Sequence, residues 1–213
     1  MAVAEQYDQL AAVSRVMHSL PLCAYGIPYV MHALASSALL RRARRMPRRP
    51  PLPDAVADST PDLSGLYWGI SCGTPGLFAV IAIVALCHQP DRAADALVSF
   101  FRYTAVLLLI RGVTIHATLL PPCRSEVRTT TSGLAAWTVG HAYDKIFSGH
   151  AALALLSLIL AGRYRMITGP CWGFLLALQC AIAFLMISAG LHYTIDVILA
   201  YLLTIALVFL LDL

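Results

Sequence analysis

Two histidines, each where a long apolar run begins, are the residues of this 213-residue chain best suited to chemistry. His150 ends Phe147-Ser148-Gly149-His150, and His192 opens His192-Tyr193-Thr194-Ile195-Asp196. On a helix, His192 and Asp196 lie on one face because they are four positions apart. A carboxylate hydrogen-bonded to one imidazole nitrogen fixes the tautomer and makes the other nitrogen a better nucleophile or base. The second histidine, His150, then suits a general acid that protonates a poor leaving alcohol in phosphate ester cleavage. Ser148 and Gly149 stand where a helix starts, and the N–H groups and positive dipole end of such a start hold phosphate oxygens. Arg111 lies in an apolar run where an unpaired charge is costly, which makes it a candidate phosphate clamp. The alternative for Arg111 is snorkelling to the head groups from a nearby helix end.

These groups need elements to carry them, and composition says which kind. Hydrophobic residues make up 59% of the chain and charged residues 12%, far from an ordinary soluble domain and characteristic of an integral membrane protein. The expected fold is all-α and polytopic, with about six transmembrane helices near 20–40, 66–87, 95–115, 147–162, 171–190 and 193–211. Residues 1–19 form a polar N-terminal segment carrying Glu5, Asp8 and Arg15, unlike a cleaved signal peptide, and 20–213 read as one membrane domain. Longer connections run from Arg41 to about Gly65 and from His116 to about Ile146. Gly65, Gly69, Gly73 and Gly76, spaced by three or four, suit a close helix approach, although glycine is also simply commoner in membrane helices. With six crossings, the ends of the first, third and fifth helices share a side with the starts of the fourth and sixth. His150, His192, Asp196 and Arg111 therefore converge at one membrane depth, with Asp54, Asp144 and Lys145 in loops on that side.

Other polar residues read more plainly. His32, His88 and His116 default to helix-packing hydrogen bonders, and Tyr143 and Tyr193 suit interface anchors. The run Arg41, Arg42, Arg44, Arg45, Arg48 and Arg49 supplies most of the +4 net charge and reads as a grip on anionic head groups. A chain mostly within lipid is no candidate for nucleic-acid binding. Six cysteines show neither paired nor metal-ligand spacing, and no metal or other cofactor is called for.

From about residue 50 to 204 the motifs resemble those of the sphingomyelin synthase family, a branch of the type 2 phosphatidic acid phosphatase superfamily. Pro50-Pro51-Leu52-Pro53-Asp54 is similar to the first family motif. Arg111-Gly112-Val113-Thr114 with Thr118-Leu119-Leu120-Pro121-Pro122 resembles the second. Asp144-Lys145-Ile146-Phe147-Ser148-Gly149-His150 resembles the third, and His192 to Val197, running on to Ala200-Tyr201 and Thr204, the fourth. The resemblance implies a six-helix membrane catalytic core with the triad His150, His192 and Asp196, and substrate contacts at Arg111, Asp144, Ser148, Gly149 and Tyr193. It implies transfer of a phosphocholine or related head group from a glycerophospholipid donor to ceramide, through a phosphohistidine on His192, with release of diacylglycerol.

The chain departs from the pattern at His141-Ala142-Tyr143, where Cys-Gly usually precedes the aspartate, and at Ala151, where threonine is usual. Rival readings are phosphatidylcholine:diacylglycerol exchange, lipid phosphate hydrolysis, and a non-catalytic lipid-binding or scrambling protein. Phosphatases of the superfamily typically carry Lys-x6-Arg-Pro and an arginine six residues before the second histidine. Here the sole lysine, Lys145, has no Arg-Pro after it, and Met186 takes the arginine position. The resemblance implies a site on the lumenal or exoplasmic face of an endomembrane or plasma membrane. The arginine distribution, by the positive-inside rule, points the same face toward the cytosol. The oligomeric state is left open by these residues.

Overall fold

The computed structural model describes residues 25–43, 45, 50–66, 69, 70, 73, 90–123, 146–167 and 169–211. The architecture is all-α, with no strand among the described residues. Its helices are α1 (Gly26–Ala43), α2 (Ala55–Ser59), α3 (Pro90–Ala117), α4 (Gly149–Arg163), α5 (Pro170–Ser188) and α6 (Thr194–Leu211), with a 3-10 turn at Ser64–Leu66. Among the described residues three helices are long and apolar enough to cross a membrane: Asp91–Ala117 within α3, α5 and α6. Large apolar side chains point outward, Phe209 at 72% and Phe174 at 67% exposure, as lipid-facing surfaces require. This is a membrane protein. The expected segment 66–87 and the N-terminal segment 1–19 fall largely or wholly outside the described residues.

Local chemistry sets the helix limits. Pro90 and Pro170 each stand in a first turn, where a missing N–H costs nothing and the ring pre-sets φ. Gly169, just before α5, takes φ 54°, a conformation glycine adopts without strain. Ser148 caps α4 by accepting the N–H of Ala151, and Asp54 caps α2 by accepting those of Val56 and Ala57.

Two details differ from the sequence reading. Arg41 and Arg42 belong to the last turn of α1 rather than to a connection, because cations suit the negative end of a helix. The stretch from Arg41 to Gly65 also holds α2, seeded by the Asp54 cap. In addition, among the described residues nothing lies within 4 Å of a Cβ built at Gly65, Gly69 or Gly73. Gly76 lies outside the described residues.

Helix α4 is central. It is apolar but only 15 residues long, and it packs against α3, α5 and α6. Ala151, Ala152, Ala154 and Ala161 are buried and Gly162 admits Trp172: a Cβ there would sit 2.8 Å from the indole nitrogen. Small side chains let neighbouring backbones come close where lipid supplies no hydrophobic drive for association. The indole donates to Leu158 O at 3.1 Å, fixing the start of α5 on the end of α4.

Contacts along the helices give their directions. Tyr29 meets Phe101 near the start of α1, and Arg42 donates to His116 O at its end, so α1 and α3 run parallel. Ser99 bonds Tyr164 while Arg111 meets Phe147, so α3 and α4 run antiparallel. The N–H of Ser148 donates to Asp196 O at 3.1 Å, joining the starts of α4 and α6. The end of α3 and the starts of α4 and α6 therefore share one end of the bundle, as helix parity required.

Candidate active site

Asp196 is the hub of that end. It is the third residue of α6, and its Oδ2 accepts the N–H of Tyr193 at 3.0 Å, the side-chain half of a capping box. The same Oδ2 lies 3.7 Å from His192 Nδ1. Its backbone oxygen receives Ser148 N–H. One residue thus starts α6, faces the His192 ring and ties down the residue that caps α4. Asp196 is fully buried and His192 only 5% exposed.

His150, in the first turn of α4, is half-buried and faces His192 with ring centroids 6.5 Å apart at 57°. The His192 ring turns its Nδ1 toward the Asp196 carboxylate.

Arg111 is buried, donates through Nη1 to Phe147 O, and lies over the Phe147 ring at 5.9 Å. It does not snorkel. Gly149 lies directly against it: a Cβ there would reach ordinary contact with Arg111, 3.4 Å from Nε and 3.5 Å from Cζ. The guanidinium and the positive dipole end of α4 thus converge, two like potentials in a poorly screened place. A phosphate beside them lowers the energy of both.

The remaining sequence-predicted residues sort as follows. Ser148 is fully buried and its hydroxyl oxygen caps α4 at 3.2 Å from Ala151 N. Gly149 lies in contact range of Arg111. Tyr193 is 3% exposed, donates to Pro121 O and Pro122 O, and accepts from Leu52 N at 3.0 Å. Burial pushes its phenol up to about 12, opposed by the Leu52 bond, so the hydroxyl stays protonated as this donation requires. Asp144 lies outside the described residues. Among the described residues no group of three or more His, Cys, Asp or Glu could hold a metal ion.

The contact that sequence reasoning missed is made by Asp54. Its Oδ2 accepts Thr194 N–H and its Oδ1 the Thr194 hydroxyl, besides its own α2 cap. Burial raises the carboxyl, but these hydrogen bonds outweigh it and hold Asp54 below the usual carboxylate range. The sequence signal is Pro53-Asp54-Ala55, an N-cap pattern; that its carboxylate also caps α6 is visible only in three dimensions.

No curated protein matches the chain. Residues 143–213, the stretch that carries His150, His192 and Asp196, match the family described as PAP2 superfamily C-terminal, which supports a place for this region in the type 2 phosphatidic acid phosphatase superfamily.

Proposed function

We propose that the protein is a membrane phosphotransferase that moves a phospho-head group from a glycerophospholipid to ceramide and releases diacylglycerol. The observation that carries the phosphoryl chemistry is the facing pair His150 and His192, 6.5 Å apart, with Asp196 beside His192. The superfamily match supports lipid phosphatase or phosphotransferase chemistry in general.

In this reading the Nε2 lone pair of His192 forms a bond to the donor phosphorus as the bond to the diacylglycerol oxygen breaks. His150 gives that oxygen its proton. The ceramide hydroxyl then passes its proton to His150 and attacks the phosphorus, breaking the N–P bond and restoring both histidines. Asp196 holds the His192 tautomer and offsets the positive charge of the phosphohistidine ring. Arg111 binds the non-bridging oxygens from the α4 start.

Transfer rather than hydrolysis is supported by Met186. It stands where phosphatases of the superfamily typically have arginine, and it is 1% exposed, in an apolar cluster with Ala189 and Leu191 packed by Leu63 and Ile70. A buried methionine in place of that arginine removes a cation that the phosphatases carry at this position.

The test is an exchange assay in liposomes containing labelled ceramide, with phosphatidylcholine, phosphatidylethanolamine and phosphatidylinositol as competing donors, run beside His192→Ala. A labelled phosphosphingolipid that vanishes in the variant is the expected result and names the donor. Release of free phospho-head group instead establishes a hydrolase, and product only with diacylglycerol as acceptor establishes exchange between glycerolipids. Silence with every donor and acceptor sinks the enzymatic reading.

A further inference from the structure

The histidine site uses one side of α3. The neighbouring side, together with α1, encloses a groove of about 780 Å³. Its walls are mainly apolar, formed by Leu34, Ala35 and Ala38 of α1 and Leu108, Leu109 and Val113 of α3, with His32 of α1 among them. The helices nearly touch at its floor, where a Cβ on Gly112 would lie 3.9 Å from that of Ala35. Arg41 and His116 line the groove at the end the two helices share with the histidine site.

Arg41, exposed in the last turn of α1, is the charged residue among the described lining residues, and no carboxylate is among them. Arg42 donates to His116 O at 3.0 Å, which ties the two helix ends together and leaves Arg41 at a preformed opening. An apolar slot lying along two helices and closed by a guanidinium matches an acyl chain that ends in a phosphate. A zwitterionic lipid brings a second, cationic group to a mouth already positive, whereas an anionic lipid does not.

We propose that this groove binds one anionic glycerophospholipid, with its phosphodiester on Arg41 and an acyl chain between α1 and α3. The site is separate from the histidine pair and does not depend on the reaction assigned to it. The C-terminal third of α3 is nevertheless shared, since Arg111 and Gly112 are adjacent, so the bound lipid braces the helix that carries Arg111.

The test is native mass spectrometry of the full chain purified in detergent and offered equal amounts of phosphatidylglycerol and phosphatidylcholine with identical acyl chains. Wild type should retain one phosphatidylglycerol with about fivefold preference, the value expected for one arginine at a membrane surface. Arg41→Gln should bring the ratio to about one while Arg41→Lys restores it, and Arg45→Gln, outside the groove, should leave it unchanged. Ala38→Phe, which fills the slot, should lower retention of the lipid with Arg41 intact; if that variant does not fold, the Arg41 pair decides. Equal retention of both lipids by wild type overturns the proposal. So does a preference that survives Arg41→Gln, or an equal loss in Arg45→Gln, which would mean diffuse surface charge. A groove occupied by a second copy of the chain, seen as a dimer crosslinked through Leu34→Cys, overturns it as well.

Discussion

The carboxylate of Asp54 receives the Thr194 backbone N–H at 2.6 Å and the Thr194 hydroxyl at 2.7 Å. The segment after α1 is thereby fastened to the start of α6, two residues from His192 and two from Asp196. A negative charge at the positive end of α6 adds dipole stabilisation to the bonds themselves. Asp54→Ala should lower stability by about 1–2 kcal/mol through the loss of two helix caps. The proposed transfer activity should fall with it, measured beside the thermal midpoint. Asp54→Asn, which keeps an acceptor oxygen, should lose less.

The same carboxylate predicts an acid limb. Its folded pKa is below the ordinary 3.8, so its contribution is fully present above 3.8 and disappears as pH falls through the lower folded value. Thermal midpoints of wild type should drop in that window, and those of Asp54→Asn should drop less there. Identical acid limbs would show that Asp54 is not the group responsible.

Asp196→Asn separates two jobs of one side chain. The amide oxygen still accepts Tyr193 N–H, so α6 should start normally and the thermal midpoint should move little. Orientation and charge at His192 are lost, and kcat should fall on the order of 10³–10⁴-fold with a small change in KM. A large loss of stability with kcat preserved would make Asp196 a helix cap alone.

General acid catalysis by His150 predicts a dependence on the leaving group. His150→Ala should slow transfer from a glycerophospholipid by roughly 10²–10⁴-fold. From an aryl phosphodiester, whose phenolate leaves without a proton, the same variant should be much less impaired. His192→Ala should be inactive toward both, since it lacks the attacking nitrogen. Equal losses of His150→Ala on the two donors would move His150 out of the acid role.

Gly149 should tolerate one methyl group and no more. In Gly149→Ala the new Cβ meets Arg111 at ordinary contact distance, 3.4 Å, so activity should persist. Helix α4 should gain stability, by about 0.5–1 kcal/mol. Gly149→Leu should displace the guanidinium and raise KM for the phosphate donor. Unchanged KM in that variant would separate Arg111 from substrate binding.

The helical, membrane-embedded character of the chain was legible from sequence because it depends on local apolarity and length, as α3, α5 and α6 bear out. The convergence of Arg111, His150, His192 and Asp196 was legible too, since helix parity alone places their helix ends on one side. His192 and Asp196 do meet as the sequence suggested, but not on one helical face: His192 precedes α6, and the turn into the helix, closed by Tyr193 N–H on Asp196, brings its ring to the carboxylate. Tertiary structure decided what spacing does not encode. Asp54 meets Thr194, Leu52 meets Tyr193, and Ser148 meets Asp196 across long stretches of chain, because each backbone polar group removed from water must find a partner and the nearest lies on another segment. Tertiary packing also kept Arg111 inside the bundle, against Gly149, and put the His150 and His192 rings 6.5 Å apart.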